Sequence, residues 1–444
     1  MHFPKRLLTF STPRRWLQAA CYGKRLLAKD RPELDFDRLL DPGRTEAIRR
    51  NIALRKQIGN IDRVRHLWSQ LSDIIAGKVE PTSEGELQDL WEHFYEEAAL
   101  IPNDTHPESP VGDQSHARVI ETQGRMPQFD FEPITAEELA ISFRLLRTDV
   151  GHTCGEKSYF LLNQLAMLEN ALVQFCTARL RPLGFVQVTV PDVLPRRVPK
   201  KCGLMTTSDK EILYTLVGHS DWTLSGTAEM GIASLIEGNT FQQNELPKKY
   251  FSVSRCYRPE VSTGVLSHGI YRVHEFTKVE MFACTACETG EESDEVHREI
   301  LEIQKQLFGS LDLHFRVLEM PSEELGAPAY RKFDIEAWMP GRNAYGEISS
   351  TSNCTDFQSR RLPAKYQSKD GKIKFVHTVN GTACAITRTL IALLEQRQTR
   401  RRSVSMPQSL LEHLGDHLAP LYEIRQPLSL QTINPKNEFS DGNK

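Results

Sequence analysis

Apolar residues recur every three or four positions over two stretches near the start of the chain. Ile61, Val64, Trp68, Leu71 and Ile75 form one seam within residues 44–78, a spacing that predicts a helix there. Pro81 breaks it. Ser83, with Glu86 three positions later, has the pattern of a capping box and starts a second helix. Leu87, Leu90, Phe94, Ala98 and Ile101 carry the matching seam, and Pro102 ends it. Two seamed helices across a short turn predict an antiparallel helical hairpin. At 1.5 Å per residue, about 18 residues in the second helix give an arm about 27 Å long. Gly59 is placed to mark the base of the paired section.

After a turn-rich linker at 101–113, the period repeats in 157–181, with Leu161, Leu165, Leu168, Leu172 and Phe175 on one face and Glu169 and Gln174 off it. Residues 184–191 alternate like a strand that Pro191 stops. The clearest two-residue alternation lies in 254–282. Cys256, Arg258 and Glu260 precede a nine-residue loop with Gly264 and Gly269; Arg272, His274, Phe276, Lys278 and Glu280 follow it. This predicts a long antiparallel hairpin. Both its faces carry functional groups, so the hairpin reads as a binding floor. Residues 291–310 predict an acidic amphipathic helix through Val296, Ile300, Ile303 and Leu307, and 377–398 a strand running into a helix. Residues 425–444 are polar without period, the composition of a disordered tail.

Composition narrows the partners. The 444 residues are 39% hydrophobic and 25% charged, as in soluble globular proteins. With 55 basic against 58 acidic residues the net charge is −3, so nucleic acid would have to meet a local patch. No apolar run approaches the roughly 20 residues a membrane helix needs. The nine cysteines are scattered, and the lone CxxC at Cys284 and Cys287 lacks a second pair at zinc spacing; buried thiols in a reducing compartment fit better. The first 29 residues hold seven Lys/Arg and no acid, the composition of a mitochondrial transit segment, or of a basic tail that touches nucleic acid. On the arm, residues 44–78 carry eight basic residues against three acids, while 83–101 carry six acids and no Lys/Arg. Pairing between the helices explains much of this. Arg44, Arg49, Arg50, Arg55 and Lys56 precede the paired section and, with Arg63 and Arg65, are candidates for a phosphate backbone.

The chemistry concentrates in a few short runs. Arg258, two residues before Glu260, sets a phosphate fork beside an acceptor. Thr227-Ala228-Glu229 offers a carboxylate to an ammonium group, which needs a charge partner once desolvated. In order along the chain, the Ile-Pro-Asn-x-x-His junction at 101–106, the helix and strand of 157–191, the Thr-Ala-Glu run, Gly269 through Glu280, the stretch 330–362 and the strand–helix of 377–398 resemble the seryl-tRNA synthetases among class II aminoacyl-tRNA synthetases, in their mitochondrial branch. The resemblance implies an α+β fold, an antiparallel sheet flanked by helices with an N-terminal helical arm. It implies a division into a transit segment (1–29), arm and linker (30–120), synthetase-like body (121–424) and tail (425–444). It implies a dimer through 157–191, in the mitochondrial matrix and without membrane attachment, and an arm that grips tRNA(Ser) or another mitochondrial RNA. By position, Arg258 would bridge the α-phosphate of ATP and the serine carboxylate, Glu260 would meet adenine and Phe276 would stack on it. Thr227, Ala228, Glu229, Glu280, Asn380 and Thr382 would hold serine. Glu347, Ile348, Ser349, Ser350 and Arg388 would line the phosphates, with Glu347 and Ser350 on Mg²⁺.

Three features depart from the family pattern. The hairpin tip reads Thr263-Gly264-Val265-Leu266-Ser267-His268, where the family carries charge, and Pro259 stands where it has a small residue. Loss of a charge-assisted contact of about 1.5–3 kcal/mol weakens a site ten- to a hundredfold. Arg400-Arg401-Arg402 replaces a polar turn after the last motif. The basic start, short arm and neutral tip together resemble the insect mitochondrial seryl-tRNA synthetase-like group, which the resemblance implies is non-catalytic. The sequence therefore sets up one expectation and one alternative. The expectation is a paralogue without obligatory cofactor that binds RNA and pairs with itself or with an active mitochondrial synthetase. The alternative is an active ligase using ATP and Mg²⁺.

Overall fold

The computed structural model of the protein describes residues 32–80, 83–204, 213–260 and 269–414. The basic start at 1–29, the hairpin tip at 263–268 and the tail at 425–444 lie outside the described residues.

The arm begins with helix α1 (Phe36–Leu40), whose cap Asp35 accepts from the Arg38 amide. The single helix expected over 44–78 is two: α2 (Thr45–Ala53) and α3 (Ile61–Ile75). Between them Lys56, Gln57 and Gly59 take left-handed φ of 61°, 59° and 97°. Asn60 then restarts the helix by accepting from the Arg63 amide at 3.0 Å. Gly59 is required twice over, because a Cβ there would lie 3.0 Å from the Leu100 carbonyl oxygen. Helix α4 (Glu84–Leu100) opens as expected, with Ser83 accepting from the Glu86 amide, and its 17 residues span about 25 Å. The seams meet: Ile61, Val64, Leu71, Phe94, Ala98 and Ile101 are buried together with Leu67 and Trp91. Phe36, Trp68, Trp91, Phe94 and Tyr95 form a continuous aromatic cluster with ring centroids 5.2 to 6.4 Å apart.

The body is built on an eight-stranded sheet. In chain order its parts are β1 (Arg118–Gln123), α5 (Ala136–Ser142), α6 (Gln164–Leu180), β2 (Val186–Gln187), α7 (Ala228–Ile236), β3 (Lys248–Tyr257), β4 (Glu275–Thr285), α8 (Glu292–Ser310), β5 (Phe315–Glu319), β6 (Arg331–Met339), β7 (Ala344–Thr355), β8 (His377–Ala385) and α9 (Ile386–Gln396). The strands lie in the order β1-β5-β6-β7-β8-β4-β3-β2. All pairs are antiparallel except β2 with β3. Strand β1 belongs to this sheet, so the body begins at Arg118, before the expected boundary at 120. The helix expected over 157–181 starts only at Gln164, and of the strand expected over 184–191 only Val186 and Gln187 pair, at the sheet edge.

The sheet has two unlike faces. Val279, Met281 and Ala283 of β4, Ile335 and Ala337 of β6, and Val379 and Ala383 of β8 turn to α6, α8 and α9 in the main core. Of the intervening residues, Lys278 and Glu280 of β4 and Asn380 and Thr382 of β8 line a polar cavity, while Phe282 and Cys284 of β4 pack in a second apolar cluster. Strand alternation thus converts one sequence pattern into a dry core below and a charged floor above.

Candidate active site

The polar face opens into a cavity of about 270 Å³ lined by Arg258, Lys278, Lys332 and Arg388, against Glu229, Glu280, Glu324 and Glu347. Equal numbers of cations and carboxylates suit a guest that brings both signs of charge.

The hairpin supplies the floor's centre. Phe276 pairs with Cys256 and Glu280 with Ser252 across β3 and β4, so Phe276, Lys278 and Glu280 emerge on one face. Arg258 lies just past the end of β3. Its amide donates to the His274 carbonyl at 2.8 Å, its Nε to the Gly226 carbonyl at 3.3 Å, and its guanidinium sits 5.3 Å from the Phe276 ring centre. A flat cation over a ring leaves a slot in which a second planar group can lie. Glu260 turns back on Arg272 at 3.3 Å, and its carbonyl accepts from Lys157.

One end of the cavity is built for an ammonium group. Thr227 precedes α7, and its Oγ1 accepts from Lys278 Nζ at 2.6 Å. Glu229 accepts from Gln358 at 2.6 Å and from Asn380 at 2.9 Å. Desolvation and the neighbouring Glu280 push its carboxyl up to about 7, against the pull of Gln358, Lys278 and Asn380. Glu280 holds Lys278 at 2.7 Å and accepts from Thr382 Oγ1 at 2.9 Å. The β4–β8 register, which sets Glu280 opposite Thr382, makes that contact.

The other end is built for anions. Arg388 lies in the first turn of α9 and reaches Glu347 at 3.4 Å, while its Nε donates to the Tyr271 carbonyl at 3.3 Å. Its guanidinium stacks 4.6 Å from the Tyr271 ring centre. Burial works to raise the Glu347 carboxyl, but Arg388, Lys332 and Arg258 outweigh it and hold the group below its ordinary range. Ser350 also lines the cavity.

The structure brings together Thr227, Glu229, Arg258, Phe276, Glu280, Glu347, Ser350, Asn380, Thr382 and Arg388. It treats four expected residues differently, and one of them, Glu260, is turned onto Arg272 outside the cavity lining. Ala228 is fully buried, and Ile348 borders the cavity although its side chain is buried in the main core. Ser349 is buried with its hydroxyl spent on the Thr382 carbonyl. Lys278, Tyr271, Gln358 and Lys332 were not singled out from sequence. Lys278 was legible as the polar residue between Phe276 and Glu280 on the alternating strand. Gln358 was not, since it reaches Glu229 from the short helix Phe357–Arg361.

The arm corrects the charge reading. Arg55 is buried, with its guanidinium on backbone carbonyls, and so is closed to phosphate. Arg44 pairs with Asp104, Arg49 with Asp62 and Glu46, Lys56 with Glu324 and Arg63 with Glu97. Arg44, Arg49, Lys56 and Arg63 nevertheless remain exposed, as does Arg50, and Arg65 is half-buried. Exposed pairs of this kind are worth under about 1 kcal/mol and exchange readily for phosphate contacts.

Residues 215–397 match the family model described as the tRNA synthetase class II core domain (G, H, P, S and T). The chain is 45% identical to the mitochondrial serine–tRNA ligase of Mus musculus over 329 residues, 73% of this chain; it spans only 63% of that relative's length. It is 41% identical to the serine–tRNA ligase of Rubrobacter xylanophilus over 76% of this chain and 79% of that one. Among solved structures, the seryl-tRNA synthetase of Pyrococcus horikoshii complexed with ATP superposes with a TM-score of 0.68 at 28% identity, covering 83% of this chain and 90% of that one.

Proposed function

Since the chain belongs to the serine–tRNA ligase family of class II aminoacyl-tRNA synthetases, we propose that it is a working ligase, which joins serine to ATP as seryl-adenylate and passes the seryl group to tRNA(Ser). One observation carries this reading. The cavity keeps an ammonium end at Glu229 and an anion end at Arg388, with Arg258 over Phe276 between them.

In this reading serine enters with its ammonium group on Glu229 and its hydroxyl among Glu280, Thr382 and Asn380. Arg258 draws the serine carboxylate and the α-phosphate together, and Phe276 with Glu260 receives adenine. Attack of a carboxylate oxygen on the α-phosphorus forms the new P–O bond as the bond to pyrophosphate breaks. No side chain acts as nucleophile; position and charge lower the barrier. Arg388 takes up the charge that develops on the departing phosphates. Among the described residues no cluster of three or more His, Cys, Asp or Glu can cage a metal. Glu347 and Ser350 nevertheless offer two oxygens at the anion end, which fits a Mg²⁺ ion that completes its shell with phosphate oxygens and water. The ion would supply charge neutralisation on the phosphates. Serine–tRNA ligation is tested by charging of tRNA(Ser) with the full chain, and Arg258→Ala should abolish it.

The setting is part of the proposal. The basic first 29 residues and the mitochondrial relative support an address in the mitochondrial matrix. Exposed Met167, Leu183 and Val186 on α6 and near β2 support a dimer through that face. Arg44, Arg49, Arg50, Lys56, Arg63 and Arg65 support tRNA contact by the arm. No described helix is long and apolar enough to cross a membrane.

A second reading is favoured by the uncharged tip residues Val265 and Leu266 and by Pro259. It makes the chain a non-catalytic paralogue that binds mitochondrial RNA or an active synthetase. Co-purification with such a synthetase, together with failure to charge tRNA(Ser), would select it.

A further inference from the structure

Arg55 is buried and, among the described residues, forms no ion pair with a carboxylate. Its Nη1 donates to the carbonyls of Asn103 at 2.9 Å and Asp104 at 3.3 Å, and its Nη2 to that of Gly326, while its Nε is buried without a partner. Burial of a charge satisfied only by carbonyl dipoles is costly, and a purely structural seam would be served as well by apolar packing. The carbonyls come from two sides. Asn103 and Asp104 leave the arm; Gly326 belongs to the wall of the cavity, with Pro328 and Ala329.

Asn103 doubles the link. Its amide donates to the Ala327 carbonyl at 2.9 Å. Its side chain donates to the Pro328 carbonyl at 2.9 Å, the Cys354 carbonyl at 3.0 Å and Thr355 Oγ1 at 2.9 Å. Cys354 lines the ammonium end of the cavity, where its Sγ accepts from Asn380 at 3.7 Å, and Asn380 in turn donates to Glu229. With the Arg55 Nη2 bond to the Ala327 carbonyl at 3.5 Å, six hydrogen bonds thus run from two residues at the arm's base into the two segments that wall the serine end.

We propose that Arg55 and Asn103 are positioning residues forming a strut, through which the seating of the arm sets the width of the serine end of the cavity. The proposal rests on the ligase reading above for its substrate. A shift of the arm on its base moves Asn103 and, with it, 326–328 and 354. Small displacements of this kind matter, since about 1 Å at a reacting centre can cost a hundredfold. Among the described residues, Tyr271, Glu347 and Arg388 at the anion end make no hydrogen bond with Arg55 or Asn103, and Glu347 lies seven residues along β7 from Cys354.

The test uses the full chain as wild type, Arg55→Ala, Arg55→Lys and, as a control, Arg147→Ala. Hydrogen–deuterium exchange is followed in peptides covering 323–330 and, as a reference, 276–285. Arg55→Ala should speed exchange in 323–330 by about fivefold or more with the reference unchanged, and Arg55→Lys should restore part of the protection. Arg147→Ala, which removes an exposed pair with Asp149 at 3.0 Å, should leave both peptides as in wild type. In serine-dependent ATP–pyrophosphate exchange, Arg55→Ala should raise KM for serine by about tenfold, with KM for ATP and kcat within about twofold. Unchanged exchange in 323–330, or equal losses for serine and ATP, would overturn the strut. If Arg55→Ala unfolds, Arg55→Lys decides by the same readings. If the wild type shows no pyrophosphate exchange, the ligase reading fails, and the deuterium measurement still decides the strut.

Discussion

The cavity floor and the arm hold charge in opposite ways. On the floor, Lys278 and Glu280 are buried side by side on one strand, fixed by register and by Thr227 and Thr382. On the arm, Arg49, Arg63 and Lys56 stand in solvent in loose pairs. Buried charges with every partner in place are costly to disturb, whereas exposed ones are nearly free to exchange. A site that stabilises a transition state needs the first kind, and a surface that tracks a nucleic-acid backbone needs the second.

The contrast would break most visibly at Arg388. Arg388→Ala should lower kcat for serine-dependent pyrophosphate exchange about a hundred- to a thousandfold, while Arg50→Ala should leave that rate unchanged. The stability of the two regions should differ next. Lys278→Met leaves Glu280 buried without its cation and should lower unfolding free energy by about 3–5 kcal/mol in urea titrations. Arg63→Ala should change it by less than about 1 kcal/mol.

The floor should also carry a pH signature. The Glu229 carboxyl titrates at about 7 in the fold, above its ordinary 4.5. A raised acid favours the folded state in its protonated form. That stability is fully present below the unfolded value, declines as pH rises above it and is lost on passing through about 7, amounting to at most about 3 kcal/mol. Urea midpoints measured from pH 5 to 8 should therefore fall for the wild type and stay flatter for Glu229→Gln. The smallest effect belongs to the arm. Replacing Arg50 by Ala should weaken tRNA binding uniformly and reduce the salt slope by roughly one phosphate contact.

The same contrast explains what could be read from sequence. Strand alternation over 275–285 and the order of short motifs already place Phe276, Glu280, Asn380 and Thr382 on one floor, because register leaves a strand residue only two faces. Ala228, Ile348 and Ser349 have buried side chains within those same motifs, since a motif marks a segment and not which of its side chains face a guest. On the arm, charge counting fails for Arg55 alone among the seven candidates, because it is buried. Arg55 looked like the other basic residues, and only the break at Lys56, Gln57 and Gly59 turns it inward. The sequence signal for that break was Gly59 followed by the helix-capping Asn60. Contacts from remote segments, such as Gln358 on Glu229 and Asn103 on Cys354, have no local signature at all. Expectation of a silent site rested on Pro259, Val265 and Leu266, whereas Arg258, beside that proline, keeps its seat over Phe276.

Serine-dependent ATP–pyrophosphate exchange by the full chain tests the central claim most directly. A working ligase predicts exchange that requires serine, is saturable in both substrates and disappears with Arg258→Ala. Exchange no higher with serine than without it, from protein that is folded and binds tRNA(Ser), would contradict the account and make the floor the remnant of a lost activity.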